Sequence, residues 1–316
     1  MSQFKFIVKL VLSFGLLAFF LWKTGIDHTL AELASANLWY VPIGVGIYLF
    51  SQTVSAYRWQ FLAKALNFNL SVREYFDYYM MGMFFSLFLP GAIGGDVGRM
   101  YYLAKSANRK KREAMLTVLA ERGVGMAAIL IIAGVLLATP VTESVSDSVR
   151  WVVWALCAGF VGGFAVLQMV PIERIVEKFP KLGLFTQAKV YWQDKPLFIK
   201  SVAISFLVHS CILGLHMAIA VALGIGSEVP VLYMATVYGI VSLVSALPIF
   251  FNGIGVREGA YQLMLGYIGI PPETALAFGL YWFLISTLTS LIGGLILVKG
   301  HYKTPPPQEA ELTIES

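Results

Sequence analysis

The sequence predicts an all-α polytopic membrane protein: six full spans, two re-entrant or broken-helix hairpins, and an inverted-topology repeat. Of 316 residues, 58% are hydrophobic and 13% charged, and the mean hydropathy is +0.74. Several windows exceed the roughly 18 apolar residues that a bilayer span needs. Two further apolar segments are interrupted at Pro-Gly-rich points that carry opposite charges. One reads FLPGAIGGDVGR from Phe88 to Arg99, the other LPIFFNGIGVREG from Leu247 to Gly259. Hydrocarbon offers no water to a freed backbone group, so such breaks survive only where protein or a wet cavity satisfies them.

The first span is expected at 6–22. Lys5 and Lys9 precede an apolar run to Trp22, but bulky Phe20, Leu21 and Trp22 leave no signal-peptide cleavage site. The second span, 38–57, gives way to Arg58 and Trp59, which open an amphipathic stretch to Leu66 that reads as an interfacial anchor. The first interrupted segment occupies 73–104. The basic run Arg109, Lys110, Lys111 and Arg112 is then suited to anionic lipid heads. Full spans follow at 113–138, 150–170 and 200–223, the second interrupted segment at 230–270, and a last span at 274–298. Each interrupted segment reads either as a hairpin or as a pair of tilted short spans. Residues 1–303 thus form one membrane domain. From Thr304, a run of prolines leads into a polar cytoplasmic tail, 304–316, expected to be disordered.

Charge placement sets the orientation. With the N-terminus cytoplasmic and each hairpin returning to its own side, 18 of the 23 Lys and Arg residues face the cytoplasm. Only Lys23 and Arg150 lie outside, which the positive-inside rule supports strongly. The C-terminus is then cytoplasmic too, as expected for a multi-pass protein of a bacterial inner membrane. Residues 1–140 and 150–300 repeat the order span, span, hairpin, span with opposite orientation, the pattern of inverted-repeat transporters.

Arg99, Arg122 and Arg257 remain at membrane depth, accompanied by Asp96, Glu121 and Glu258. Three sequence-local pairs are expected: Asp96 with Arg99, Glu121 with Arg122, and Arg257 with Glu258. Their formal sum is zero, and charge at that depth marks a pathway or a binding site.

In the first break, Pro90 removes a backbone donor and Gly91, Gly94, Gly95 and Gly98 permit turns. Asp96 is placed to cap the following helix, and Arg99 offers a donor fork that matches phosphate. The plainer reading of these two charges is a pair that only stabilises the hairpin. The second break supplies Pro248, Asn252, Gly253, Gly255, Arg257 and Glu258, with Asn252 as the natural cap. If both half-helices point to the midplane, their polar ends meet in one cavity. Glu121 and Arg122 serve either to hold the hairpins together or to contact substrate. His209 and His216, seven residues apart, share a helix face and read as packed residues, with a proton relay as the alternative. Cys157 and Cys211 lie in apolar segments without ligand spacing, so no disulfide or metal is expected. No HExxH, CxxC, GxSxG or Walker loop occurs, so no catalytic residue or cofactor is assigned. The basic excess is explained by loop placement, not nucleic acid.

The set Leu89-Pro90-Gly91, Gly94-Gly95-Asp96, Arg99, Glu121-Arg122 and Gly253-Ile254-Gly255-Val256-Arg257-Glu258-Gly259 resembles the lysylphosphatidylglycerol synthase transmembrane region, a flippase-like family. The likeness spans about residues 5–300. It implies a standalone flippase-like protein without the soluble synthase domain. Partners on this reading are membrane lipids, anionic or phosphate-bearing, and a lipid-modifying or glycan-assembly enzyme. Arg99 and Arg257 would engage the headgroup, Gly94, Gly95, Asn252, Gly253 and Gly255 would line it with backbone donors, and Asp96 and Glu258 would orient the arginines or bind an aminoacyl ammonium. Two rival readings are a non-transporting partner of envelope lipid or glycan enzymes and a membrane-embedded transferase. Ile249, Phe250 and Phe251 replace smaller residues usual in relatives, so a bulkier second hairpin is expected.

Overall fold

A computed structural model of the protein describes residues 3–89, 92–170, 172–178, 183–247 and 249–299. Pro90, Gly91, Pro248 and the 304–316 tail lie outside them. Regular structure among the described residues is helical: α1 (Gln3–Thr24), α2 (Ile26–Ser35), α3 (Tyr40–Lys64), α4 (Val72–Phe88), α5 (Ala92–Ser106), α6 (Lys111–Leu136), α7 (Asp147–Met169), α8 (Ile172–Lys178), α9 (Leu184–Ala188), α10 (Val190–Gln193), α11 (Lys195–Ala222), α12 (Val231–Ser245), α13 (Val256–Gly266) and α14 (Pro272–Lys299).

Each expected full span is a helix: α1, α3, α6, α7, α11 and α14. Five of these are long and apolar enough to cross a membrane alone. The region of α3 qualifies only together with α2, from which it bends by 84°. The reason is a polar stripe. Ser51, Gln52, Ser55 and Arg58 are all buried along α3, lowering its hydropathy while facing protein, not lipid. The helix also runs on to Lys64, so Arg58 and Trp59 sit inside it, 5% and 0% exposed. The interfacial-anchor expectation for Arg58 and Trp59 is therefore corrected: the pattern is amphipathic because one face meets a buried polar cluster.

The two interrupted segments are antiparallel helix pairs. Ser71 and Glu74 form a capping box that starts α4, with Glu74 accepting from the Ser71 N–H at 2.8 Å. At the open end of this pair Tyr78 and Ser106 hydroxyls lie 2.6 Å apart. Toward the break, a Cβ on Gly95 would fall 2.4 Å from the Gly82 carbonyl oxygen and 2.2 Å from Ser86 Oγ. Only glycine allows α5 to come that close. The second pair is tied at its open end by Tyr233, whose hydroxyl donates to the Met264 carbonyl at 2.5 Å. The four helices hold 17, 15, 15 and 11 residues. At ~1.5 Å per residue even the longest falls short of the ~30 Å hydrocarbon core. Length thus favours hairpins over tilted spans.

Helix packing respects an exchange between two sets. α3 packs on α11, α4 on α14 and α6 on α12; within each set, α5 lies against α4 and α6 as α13 lies against α12 and α14. Swapping α3–α6 for α11–α14 leaves this map unchanged. α1 and α7 stand outside, α1 on α13 and α7 on α6. Only 6% of the residues in each of their apolar windows are buried. Phe19, Trp22, Trp151 and Val161 on them are exposed, as a lipid-facing surface requires.

Two apolar clusters fill the interior. One joins Leu215, Tyr233, Tyr261, Phe278 and Tyr281; the other joins Trp59, Tyr75, Tyr78, Met81 and Leu103. The polar site lies where the two hairpins approach one another.

Candidate functional site

A ladder of charge runs from the interior to a cavity. Arg58 donates through Nη1 to Ser205 Oγ at 2.7 Å and through Nη2 to Glu121 Oε1. The other carboxylate oxygen of Glu121 accepts from Arg99 at 3.4 Å. Arg99 Nη2 also donates to Asp96 Oδ1 at 2.6 Å, and Arg122 Nε donates to Asp96 Oδ2. The Arg99 guanidinium lies over Trp59 and Tyr79, 5.1 and 4.6 Å from the ring centroids. Arg58, Arg99 and Glu121 are buried, whereas the Arg122 side chain is 45% exposed.

This wiring corrects three expectations. Glu121 and Arg122 do not pair with each other, because neighbours on a helix point about 100° apart. Glu121 faces α3 and α5, and Arg122 faces the cavity. Asp96 is not a cap, since α5 begins at Ala92 and places it a full turn inside. It bridges two arginines instead. Arg58, assigned to the cytoplasm by charge placement, is a member of the ladder.

The second break is built differently. Gly255, at φ 83°, stands at the N-cap of α13, so Asn252 is not the cap; it adopts φ 50° earlier in the turn. Glu258 accepts the Gly255 N–H at 2.7 Å through Oε2, and its Oε1 accepts from Arg257 Nε at 2.9 Å and Nη2 at 2.5 Å. Both oxygens are used, and Glu258 is 1% exposed. It orients Arg257 and has no face left for a ligand. Arg257 lies 5.4 Å from the Phe283 ring centroid, and its Nη1 makes no hydrogen bond among the described residues. α1 closes over the turn: Ser13 Oγ accepts the Phe251 N–H at 2.7 Å. A Cβ on Gly255 would lie 2.5 Å from the Ser13 carbonyl oxygen, so a side chain there is excluded by space as well as by φ.

A cavity of about 540 Å³ separates the breaks. Lys9, Asp96, Arg122, Asn252, Gly253 and Arg257 contribute to its wall. A second cavity of about 400 Å³ contains Arg58, Arg99 and Glu121 and shares Arg122, Ser242 and Ala246 with the first. The two breaks therefore meet, with Asp96 on one side and Arg257 on the other. Gly94 and Gly95 do not reach this space. Gly94 packs on Leu89 and Gly95 on Gly82 and Ser86. Gly255 is covered by α1.

The formal charge also changes. Among the described residues, Lys9 and Arg58 join Arg99, Arg122 and Arg257, giving five cations against Asp96, Glu121 and Glu258. The expected zero becomes an excess of two. The Ser51–Ser55–Arg58 stripe at helical spacing was the signal for Arg58. For Lys9, the signal was a charge flanked by apolar residues inside a span.

His209 and His216 are packed, as the plainer reading expects. The Gly125 carbonyl can only accept, so His209 Nε2, 3.1 Å away, carries the hydrogen, and Nδ1 accepts from the Tyr238 hydroxyl at 2.6 Å. By the same reasoning His216 Nδ1 donates to Ile212 at 2.8 Å, and Nε2 accepts from Tyr261 at 2.7 Å. His216, Tyr238 and Tyr261 back the larger cavity.

Comparison with known proteins places this site in context. The family model described as the lysylphosphatidylglycerol synthase TM region matches residues 6–294, which include both breaks and the whole charge ladder. A UPF0104 membrane protein of Methanocaldococcus jannaschii is 23% identical over 311 residues, 92% of this chain and 93% of that protein. Another, from Methanothermobacter thermautotrophicus, is 22% identical over 280 residues, 78% of this chain and 80% of its own length. No solved structure matches significantly. The match covers nearly the whole of the described chain, and the protein belongs to the lysylphosphatidylglycerol synthase transmembrane-region family.

Proposed function

We propose that this protein is a lipid translocase that moves a phosphate-bearing headgroup between the leaflets of a bacterial inner membrane, with both termini in the cytoplasm. One observation carries the proposal: Lys9, Arg122 and Arg257, from three different elements, line a single cavity between the two helix breaks, with Asp96 as the lone carboxylate on its wall among the described residues. A guanidinium offers phosphate a planar pair of donors and keeps its charge at any physiological pH. Charged groups on the wall lower the cost of taking a headgroup through hydrocarbon, while the acyl chains stay in the bilayer. The exchange-symmetric packing of α3–α6 and α11–α14 suits a site opened from either side in turn.

Reconstitution in liposomes with a headgroup-accessibility assay tests this. Labelled phospholipids or a polyprenyl phosphate should become accessible from the opposite leaflet in proteoliposomes and not in empty vesicles. No movement of any of them would overturn the proposal. Stoichiometric co-purification of a lipid- or glycan-modifying enzyme, together with no movement, would instead favour a non-transporting partner.

A further inference from the structure

We infer that the cavity selects a lipid whose phosphate end carries two negative charges, a phosphomonoester or a diphosphate, and that Lys9 supplies the charge on which the selection turns. This rests on the translocase reading and narrows its substrate.

The carboxylates near the cavity are already committed. Glu258 is held by Gly255 and Arg257, Glu121 by Arg58 and Arg99, and Asp96 by Arg99 and Arg122. Among the described residues, the surplus of two positive charges therefore belongs to the space itself. A phosphodiester headgroup neutralises one of them and leaves the other unbalanced. A phosphomonoester carries about −1.5 to −2, and a diphosphate at least as much, so either closes the balance. Lys9 is the cation that the two symmetric helix sets do not provide. It is held at the cavity because α1 is fastened to the second hairpin, through Ser13 to Phe251 and through Thr24, whose Oγ1 accepts from Gln262 at 2.9 Å.

A free phosphate and a lipid phosphate share this chemistry, and a neighbouring groove favours the lipid. Between α1, α7, α12 and α13 lies an apolar groove of about 490 Å³, lined by Leu16, Phe20, Val152, Leu156 and Leu263. It shares Leu247 with the charged cavity. A chain attached to the headgroup has a seat there; an inorganic ion has no use for one.

The test is equilibrium competition for the purified full-length protein in nanodiscs, using phosphatidic acid, phosphatidylglycerol and inorganic pyrophosphate. Phosphatidic acid is expected to bind at least about tenfold more tightly than phosphatidylglycerol, a gap of ~1.4 kcal/mol. Lys9→Gln should bring the two lipids close to equal, and Lys9→Arg should keep the gap. Leu263→Trp should weaken the lipids and leave pyrophosphate unchanged. Equal affinity for the two lipids, or a ratio indifferent to Lys9→Gln, would overturn the inference. Pyrophosphate binding as tightly as phosphatidic acid would overturn the lipid assignment. Binding requires no translocation, so intact selectivity without movement would count against the translocase reading alone. Movement of phosphodiester lipids with no selectivity would count against this inference alone.

Discussion

Arg58 of α3 and Glu121 of α6 form an ion pair deep in the bundle, with 5% and 2% of their surfaces exposed. Glu121 answers for Arg99 as well, so one carboxylate holds two helices to a third.

Removing that carboxylate should be costly. Glu121→Gln strands the buried Arg58 and leaves Arg99 with Asp96 alone, and breaking a buried pair from one side typically costs ~3–5 kcal/mol. A melting curve in detergent should show a large fall. Adding Arg58→Met should recover part of it, because the second change removes the stranded charge. A single variant that melts like the parent would show that the ladder does not hold the fold.

How far the sequence could be read follows from what each feature depends on. The interruptions between α4 and α5 and between α12 and α13 were visible because Pro and Gly in a sequence disfavour helix wherever they stand. An orientation could be predicted because Lys and Arg in loops are counted without knowing contacts. The partners of Glu121 were not visible. Arg122 is its neighbour in sequence, but helix geometry turns it away, and Arg58 lies 63 residues back. Lys9 stood out as a charge in an apolar run, but its place in the cavity depends on α1 docking against α13, a contact between opposite ends of the chain. Local chemistry was legible, and the choice among partners waited on tertiary packing.

The hairpin contact at Gly95 gives a second prediction. Gly95→Val would press new atoms on the Gly82 carbonyl and Ser86, and overpacking of this kind costs ~1–3 kcal/mol. Replacing Ser86 with Ala should not restore the loss, since the backbone oxygen remains. Gly123→Ala, which meets nothing within 4 Å, should be harmless in the same melting assay. Equal behaviour of the two would remove close packing as the reason for glycine at 95.

Topology offers a third. With Cys157 and Cys211 replaced, single cysteines at Ser71 and Asn108 should react with an impermeant maleimide from the cytoplasmic side. A cysteine at Glu228 should react from the other side. All three positions are exposed. Phe88, 62% exposed beside the first break, should be protected from both sides because hydrocarbon surrounds it. Labelling of position 88 from the side opposite 71 would mean that α4 and α5 cross the membrane completely.

The last prediction concerns how Arg257 is presented. Glu258 occupies its Nε and Nη2 edge, which fixes the plane of the guanidinium against the cavity wall and leaves Nη1 without a protein partner among the described residues. Lysine at 257 would keep the charge and lose the plane, because an ammonium is a point charge on a flexible stem. Arg257→Lys should therefore leave melting close to that of the parent while lowering headgroup movement in liposomes by about tenfold or more. Arg257→Ala should abolish movement and also destabilise, since it strands the Glu258 carboxylate beneath the turn. The contrast separates presentation from charge. Full activity in the lysine variant would show that charge alone suffices at this position, and full activity in the alanine variant would take Arg257 out of the site.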